Sequence, residues 1–595
     1  MSRGQDSMTN ENSWLKKAAR NSRALAVITI CAVGILIYSN SLTGEFCFDD
    51  HSFVLDSAAV RKGPLDVRAL WKEFHVRFIV GMSYALNYRL GGRNAQGYHV
   101  LNLVIHLLTA IAVFYFILFS YATPVLREAR SPGSGQHIAF WAAMVFLCHP
   151  VQTQAVSYIT QRASAIVTLF YVLTLIFYVR YRLTHRWVFL PALAGAAGLG
   201  LLSKQGMITA PLVLAVYDLF FLGGRAIRPS RAVKALGLSL GVSLLLLVFV
   251  RLEPSGSTYQ YQGLVSWARF DARYVWTEIN VLRTYLRLFV VPVAQNFDYD
   301  YPVASGFFEP ATFFSFLLLT ALVIAAFRSF RRAREISFCV FWFFATTGIE
   351  ALSVIFGNRG VIYEHWLYMP MAGFSWFLSY IVFAGVKTPA RYRRIMMSII
   401  LILGVLTFRR NMVWEKELYV WQDVLKKAPL NPGGYFALGE LCQRQGRSFP
   451  AEEYYRKAVA LYYARRQPFD ATTKVQLSRI YNNLGLLYQE RDNPASAVVF
   501  FKRAIRVNPN HASPYHNLAI LFYEYGQHRK AIDLLERSVR IQGPTEYASL
   551  YLGLSYYALG EAEQARVYFG DALRMFSASG NPEKAEEIRK YLSAM

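Results

Sequence analysis

Two adjacent carboxylates, Asp49 and Asp50, follow directly on the first long apolar run of this chain. Their setting is Glu45-Phe46-Cys47-Phe48-Asp49-Asp50-His51. A carboxylate just outside a membrane helix can serve as a general base for a hydroxyl, provided its pKa and reach suit. The stretch continues with Arg77, Asn87 and Arg89, then with His99, Asn102 and His106 at i, i+3 and i+7 on one face of an apolar helix. Polar groups there face the protein interior or a watery cavity, or bond one helix to another. Later loops add His149, Gln161-Arg162, Ser203-Lys204-Gln205, Asp298 and Asp300 in Asp-Tyr-Asp-Tyr-Pro, Asn358-Arg359 and Tyr363-Glu364-His365. Carboxylates, single cations, histidines and tyrosines together suit a phosphate-bearing lipid and acid/base chemistry.

The elements that must gather these residues are apolar. A spanning helix needs roughly 20 mostly apolar residues. Candidate spans lie near 24–41, 97–120, 138–150, 163–180, 188–202, 206–222, 235–250, 308–327, 338–356, 367–385 and 396–409, eleven in all, the third and last being short. Alternate loops are basic: Lys16 to Arg23, Arg127 and Arg130, Arg180 to Arg186, Arg225 to Lys234, Arg328 to Arg334, and Lys387 to Arg394. The positive-inside rule makes these cytoplasmic. Asp49, Asp50, Arg77, Arg162, Lys204 and His365 then share the outer face, and the C-terminal tail lies outside. The apolar stretch 274–293 is excluded as a span. It carries Glu278, Arg283 and Arg287, and Val275, Ile279, Leu282, Leu286 and Phe289 share one face, as in an interfacial amphipathic helix.

The domains expected are a cytoplasmic N-terminus (1–23), a transmembrane domain (24–409) with outer loops 42–96 and 252–307, a linker (410–434) and a repeat domain (435–595). The 595 residues are 54% hydrophobic, which excludes disorder and a purely soluble enzyme. A net charge of +25 fits cytoplasmic loops; spread over so many of them, it argues against nucleic acid. Cysteines 31, 47, 148, 339 and 442 have neither disulfide nor metal-ligand spacing. The chain holds no Asn-x-Ser/Thr sequon, which favours a prokaryotic source.

From about residue 435 a 34-residue period appears. Leu484-Gly485, Leu518-Ala519 and Leu552-Gly553 each open the first helix of a unit, and Ala497, Ala531 or Ala565 marks the second. An earlier unit at Leu438-Gly439 carries a 12-residue insertion around 461–475. This is the tetratricopeptide period, a helix pair per repeat. Asn483 and Asn517 occupy equivalent positions, where amides can line a concave groove and hold an extended peptide by its backbone. Ala437 and Tyr551 break that ladder, and an ordinary helix-surface role carries equal weight.

Five motifs and this tail occur in order: Phe-Asp-Asp-His after the first span, His-Pro-Val-Gln-Thr-Gln-Ala-Val-Ser-Tyr, Leu-Ser-Lys-Gln, Asp-Tyr-Asp-Tyr-Pro and Glu-His-x-Leu-Tyr-x-Pro. Over nearly its whole length the chain resembles the transmembrane-and-tetratricopeptide O-mannosyltransferases, especially bacterial relatives, within the GT-C glycosyltransferases. It departs from them at Gln205, where relatives often have Glu, and at Phe78-Ile79, where they often have Pro-Leu after the arginine. The fold expected is all-α, a multi-pass GT-C-like bundle followed by a tetratricopeptide solenoid. The resemblance implies transfer of a sugar, mannose or another hexose, from a polyprenyl-phosphate donor to Ser/Thr of exported proteins, with inversion. Asp49 or Asp50 would be the base; Arg77, Arg162, Lys204 and His365 would hold the phosphate; His51, His149, Glu364, Asp298 and Asp300 would support. Asn483 and Asn517 would bind acceptor. No cofactor is obligatory, although the Asp pair leaves a divalent metal open. The expected location is a bacterial inner membrane with a periplasmic tail. A lipid-modifying transferase, a membrane-anchored scaffold and a polysaccharide ligase are the alternatives.

Overall fold

The computed structural model describes residues 21–129, 133–223, 229–251, 270–357, 360–465, 471–579 and 581–595. Lys16, Lys17, Arg20, Arg130, Arg225, Arg228, Asn358, Arg359 and residues 252–269 of the expected loop 252–307 lie outside them. The chain divides into two units between Asp423 and Val424. Among the described residues all regular structure is helical.

The first unit is an integral membrane body. Seven of its helices are long and apolar enough to cross a bilayer: α1 (Asn21–Ser41), α3 (Ala95–Ser120), α5 (Ile159–Thr184), α7 (Gln205–Leu222), α10 (Pro310–Ser329), α11 (Arg334–Phe356) and α13 (Pro389–Trp414). Four shorter apolar helices fall at the other expected positions: α4 (Ser134–Cys148), α6 (Phe189–Leu201), α8 (Val233–Leu246) and α12 (Pro370–Gly385). The last expected span, short in sequence, belongs to a 26-residue helix because its apolar run continues into basic turns at both ends. Within the best apolar window, α5 is 72% buried and α10 only 22%, so α5 is central and α10 faces outward.

Loop 42–96 is largely helical. It includes Val67–Phe74 and α2 (Phe78–Gly91). The excluded stretch forms α9 (Ala272–Val290), which is not among the helices long and apolar enough to span. Its protein-facing side is largely polar. Thr277, Glu278, Asn280, Val281, Thr284, Tyr285 and Leu288 are buried, whereas of the apolar stripe only Phe289 is buried and Val275, Ile279, Leu282 and Leu286 are partly covered. The physical reason is the solvent: beside lipid, an apolar stripe can face outward while polar groups turn inward to partners. Asn280 does so, donating to Thr312 Oγ1 at 2.9 Å and accepting from Ser315 Oγ at 2.8 Å.

Side-chain bonds sort the loops into two sets. One end joins Ser22 to Gln136, Ser120 to Tyr217, Arg182 to Asp218, and Arg334 to the Phe220 carbonyl. The other joins Asp50 to Thr160, Gln154 to His365 and Lys204 to Glu350. These sets are the basic and the chemistry-bearing loops of the charge alternation.

The second unit is a solenoid of antiparallel helix pairs. The pairs are Pro432–Arg444 with Ser448–Ala464, Ala471–Glu490 with Pro494–Val507, Ala512–Glu524 with His528–Gln542, and Glu546–Ala558 with Ala562–Ser579; Pro582–Ser593 follows. The Leu-Gly and Leu-Ala pairs lie inside the first helices rather than opening them, because they mark where the two helices cross. A Cβ on Gly439, Gly485 or Gly553 would meet the ring of Tyr455, Phe501 or Phe569 at 2.4, 2.5 and 2.7 Å. In the third repeat Ala519 stands at the glycine position and Leu535 at the aromatic one, both buried. Small against large thus alternates with medium against medium, which conserves volume at the crossing.

Candidate functional site

The Asp-Asp loop is a tight turn. Asp50 N–H donates to the Cys47 carbonyl at 3.0 Å, and His51 N–H to that of Phe48 at 3.2 Å. Phe48 adopts a left-handed φ of 47°, which a bulky residue reaches only when its surroundings hold it. Its ring meets Phe297 and Trp421 edge-on at 5.8 and 5.6 Å. Asp50 is 1% exposed. Its Oδ2 accepts from Cys47 N–H at 2.9 Å and its Oδ1 from Thr160 N–H at 2.8 Å. Desolvation outweighs those two bonds and pushes the carboxyl up to about 7. Asp49 is half-buried, and its N–H donates to Tyr158 Oη at 3.2 Å. His51 Nε2 lies 3.5 Å from Glu417 Oε2.

A second cluster borders this one. Lys204 Nζ is 3.1 Å from Glu350 Oε1 and donates to Ser164 Oγ at 3.1 Å. Lys204, Glu350, Ser164 and His365 line a cavity of about 20 Å³, room for about one water. The His365 N–H donates to Gln154 Oε1 at 2.7 Å, and Nδ1 lies 3.2 Å from the same oxygen. Burial above all, then the nearby Lys204 and Arg77 cations, hold the His365 imidazole well below its usual range. His365 is therefore a neutral ring, not one of the standing cations expected for phosphate. Arg77, half-buried at the head of α2, links the clusters: its charge acts on His365 and also on Tyr84, which feels Asp49 and Asp50 too.

Arg162 behaves differently from Lys204. It is fully buried. Nε donates to Asn102 Oδ1, one terminal nitrogen to Ser83 Oγ and the other to the Tyr98 carbonyl, both at 3.0 Å. The guanidinium also faces the Tyr84 ring at 5.1 Å. All its nitrogens are engaged in tying α5 to α2 and α3. His99 and His106 likewise bond neighbouring segments, His99 Nε2 meeting the Gly44 carbonyl at 3.1 Å and His106 Nδ1 the Tyr368 hydroxyl at 2.7 Å.

The other expected residues spread outward. Glu364 is buried and accepts from Gln295 Nε2, Asn296 N–H and Tyr299 Oη at 3.0, 2.7 and 2.6 Å, strapping the 295–299 loop to the His365 segment. Asp298 and Asp300 sit half-buried on that loop. His149 is buried, with Nε2 3.1 Å from the Phe289 carbonyl, and burial lowers its pKa to about 4. Among the described residues no three His, Cys, Asp or Glu side chains converge as a metal site. In the solenoid, Asn483 Nδ2 donates to Glu440 and Tyr455 at 3.4 and 3.2 Å, and Asn517 Nδ2 to Asn482 Oδ1 at 2.9 Å. These amides are joined to neighbouring repeats.

Sequence reasoning passed over Glu350, Tyr84, Tyr158 and Thr160. Glu350 had a usable signal, because an ionisable side chain inside an apolar helix marks a functional site by default. Thr160 acts through its backbone and had none.

The body is thus a multi-pass membrane protein with an acidic turn and a buried Lys–Glu pair at one end, continued by a tetratricopeptide solenoid. Tetratricopeptide repeat family models match residues 476–542 and 547–579. A Caenorhabditis elegans protein O-mannosyl-transferase is 25% identical over 75% of this chain and 64% of its own length. The Drosophila melanogaster protein O-mannosyl-transferase Tmtc3 is 24% identical over 83% of this chain and 62% of its own. The crystal structure of MamA protein is 27% identical over 28% of this chain and 85% of that one, with a TM-score of 0.23. The chain is thus similar to the TMTC protein O-mannosyl-transferases, and it spans about two thirds or less of the length of these curated relatives.

Proposed function

We propose that this chain is a membrane glycosyltransferase that moves a hexose from a polyprenyl-phosphate donor to Ser or Thr of a protein outside the cytoplasm. The observation that carries the reading is that α2 joins the two clusters: Tyr84 Oη donates to the Thr160 carbonyl at 2.9 Å beside Asp50, and Ile79 N–H, two residues from Arg77, donates to the Leu202 carbonyl at 3.0 Å, two residues from Lys204. The relatives' names point the same way.

Asp49 takes the proton from the acceptor hydroxyl. The oxygen forms a bond to the anomeric carbon as the bond from that carbon to the phosphate oxygen breaks, and the configuration inverts. The leaving phosphate gains charge, which Arg77 and Lys204 stabilise. Asp50 positions Asp49, since both its oxygens are spent on backbone N–H groups. Arg162 positions α2 and α3. Glu350 holds Lys204 until the donor phosphate competes for it. The Asp-Asp turn and solenoid lie outside and the basic loops inside, as the charge alternation directs. The solenoid raises the local concentration of acceptor protein.

The test is transfer by the full chain in proteoliposomes, with polyprenyl-phosphate mannose and a Ser/Thr-rich protein. Asp49→Asn should lower transfer by ~10²–10⁴ while leaving the protein folded. Undiminished transfer by Asp49→Asn would end this assignment of the base. Transfer to lipid but never to protein would favour the lipid-modifying alternative.

A further inference from the structure

We propose that the end of the body opposite Asp49 holds the phosphate headgroup of an anionic membrane lipid. The proposal is independent of the transferase reading.

A pocket of about 650 Å³ opens at that end, within the range of small-molecule sites. Five segments end around it: the start of α1, the end of α3, the short helix Pro124–Ala129, the start of α4 and the end of α5. Arg23, Arg127 and Arg180 line it, and none of the described lining residues is acidic. No hydrogen bond or ion pair occupies these three guanidiniums among the described residues. Arg180 is held in place without spending its N–H groups, lying over the Phe119 ring at 4.9 Å and the Phe189 ring at 5.5 Å. Arg162, by contrast, spends its nitrogens on the protein.

The positive-inside rule accounts for arginines at this end, but not for a cavity between them. Guanidinium forks fit phosphate oxygens, and three of them suit an anionic headgroup. The wall also contains Leu118 and Phe119, the last apolar turn of a spanning helix. Free phosphate would leave that wall bare. A glycerophospholipid covers both parts, with its phosphate among the arginines and its first methylenes against Leu118 and Phe119.

Such a lipid would clamp α1 to the body. The described contacts at the start of α1 are few: its apolar window is 28% buried, and Ser22 is bonded by Gln136. A lipid phosphate between Arg23 of α1 and Arg127 and Arg180 of the body bridges them.

The experiment uses the purified full chain in neutral detergent, titrated with phosphatidylglycerol, phosphatidylcholine or inorganic phosphate. Native mass spectrometry reads bound lipid, and thermal unfolding reads the clamp. Phosphatidylglycerol should bind saturably and raise Tm, and phosphatidylcholine should not. Each Arg→Gln change should weaken binding by on the order of fivefold, and Arg23→Gln, Arg127→Gln and Arg180→Gln together by on the order of 10²-fold. Should the triple variant not fold, Arg127→Gln alone decides, because that side chain is exposed. Equal binding by variant and wild type would reduce the effect to general adsorption and overturn the proposal. Inorganic phosphate giving the same Tm rise, and displacing the lipid, would overturn the lipid source.

Discussion

Asp50 Oδ1 accepts the backbone N–H of Thr160 at 2.8 Å, joining residues 110 positions apart in the chain. The contact ties the acidic turn after α1 to the head of α5, the most buried of the long spans. Asp49 is thereby presented from a turn fixed at its neighbour. One carboxylate of the pair is an anchor, and the other is the base of the proposed reaction.

Asp50→Asn tests the anchor. An amide cannot accept from both Cys47 N–H and Thr160 N–H, because one of its two ends is a donor. One buried N–H then loses its partner, at ~1–3 kcal/mol. The variant should unfold at lower temperature than Asp49→Asn and also lose transfer. Equal Tm values for the two variants would remove the distinction.

Burial also gives Asp50 a pH signature. Its carboxyl titrates near 7 in the folded protein against an ordinary value of 3.8. Between those values the folded state holds a proton that the unfolded state has lost. Stability should therefore fall as pH rises from about 4 to about 7 and then level off. Thermal melts from pH 4 to 8 should show this slope in the wild type and a flatter one in Asp50→Asn.

The Lys204–Glu350 pair predicts a split between stability and donor affinity. Removing one member leaves a buried charge unpaired and typically costs ~3–5 kcal/mol. Lys204→Gln and Glu350→Gln should each lower Tm, and the double variant should recover much of that loss. The donor KM should rise in Lys204→Gln and stay high in the double variant. A double variant with wild-type donor KM would return Lys204 to a purely structural role.

In the solenoid, Gly485→Ala should destabilise by ~1–3 kcal/mol, because its methyl would meet the buried Phe501 ring at 2.5 Å. Adding Phe501→Leu should recover part of this, since Ala519 with Leu535 is that same pairing one repeat later. Chemical denaturation of the variants reads both effects.

Asn483→Ala with Asn517→Ala separates groove from scaffold. Both amides are bonded to neighbouring repeats, so the double variant should lower solenoid stability. If the groove also holds acceptor backbone, transfer to protein should fall while transfer to excess short peptide is kept. An equal loss with both acceptors would assign the two residues to the scaffold alone.

Long apolar runs, alternating basic loops and a 34-residue period are local patterns, and they were enough to place the apolar helices, the two ends of the body and the repeats. They also brought Asp49, Asp50, Lys204 and His365 to one face. What local pattern could not decide was how each polar group is used. Arg162 and Lys204 look alike in sequence, as single cations in sparsely charged loops. Only packing shows Arg162 spent on Asn102, Ser83 and Tyr98, and Lys204 beside a cavity with Glu350. Asp49 and Asp50 are neighbours of one type, yet the fold locks one between two N–H donors and leaves the other half-buried. The stripe on α9 shows a related limit: periodicity reveals that a stripe exists, not whether protein or lipid covers it. Hydropathy and charge act residue by residue and are written along the chain. Burial, hydrogen-bond partners and protonation depend on residues tens to hundreds of positions away, and only the folded packing brings those together.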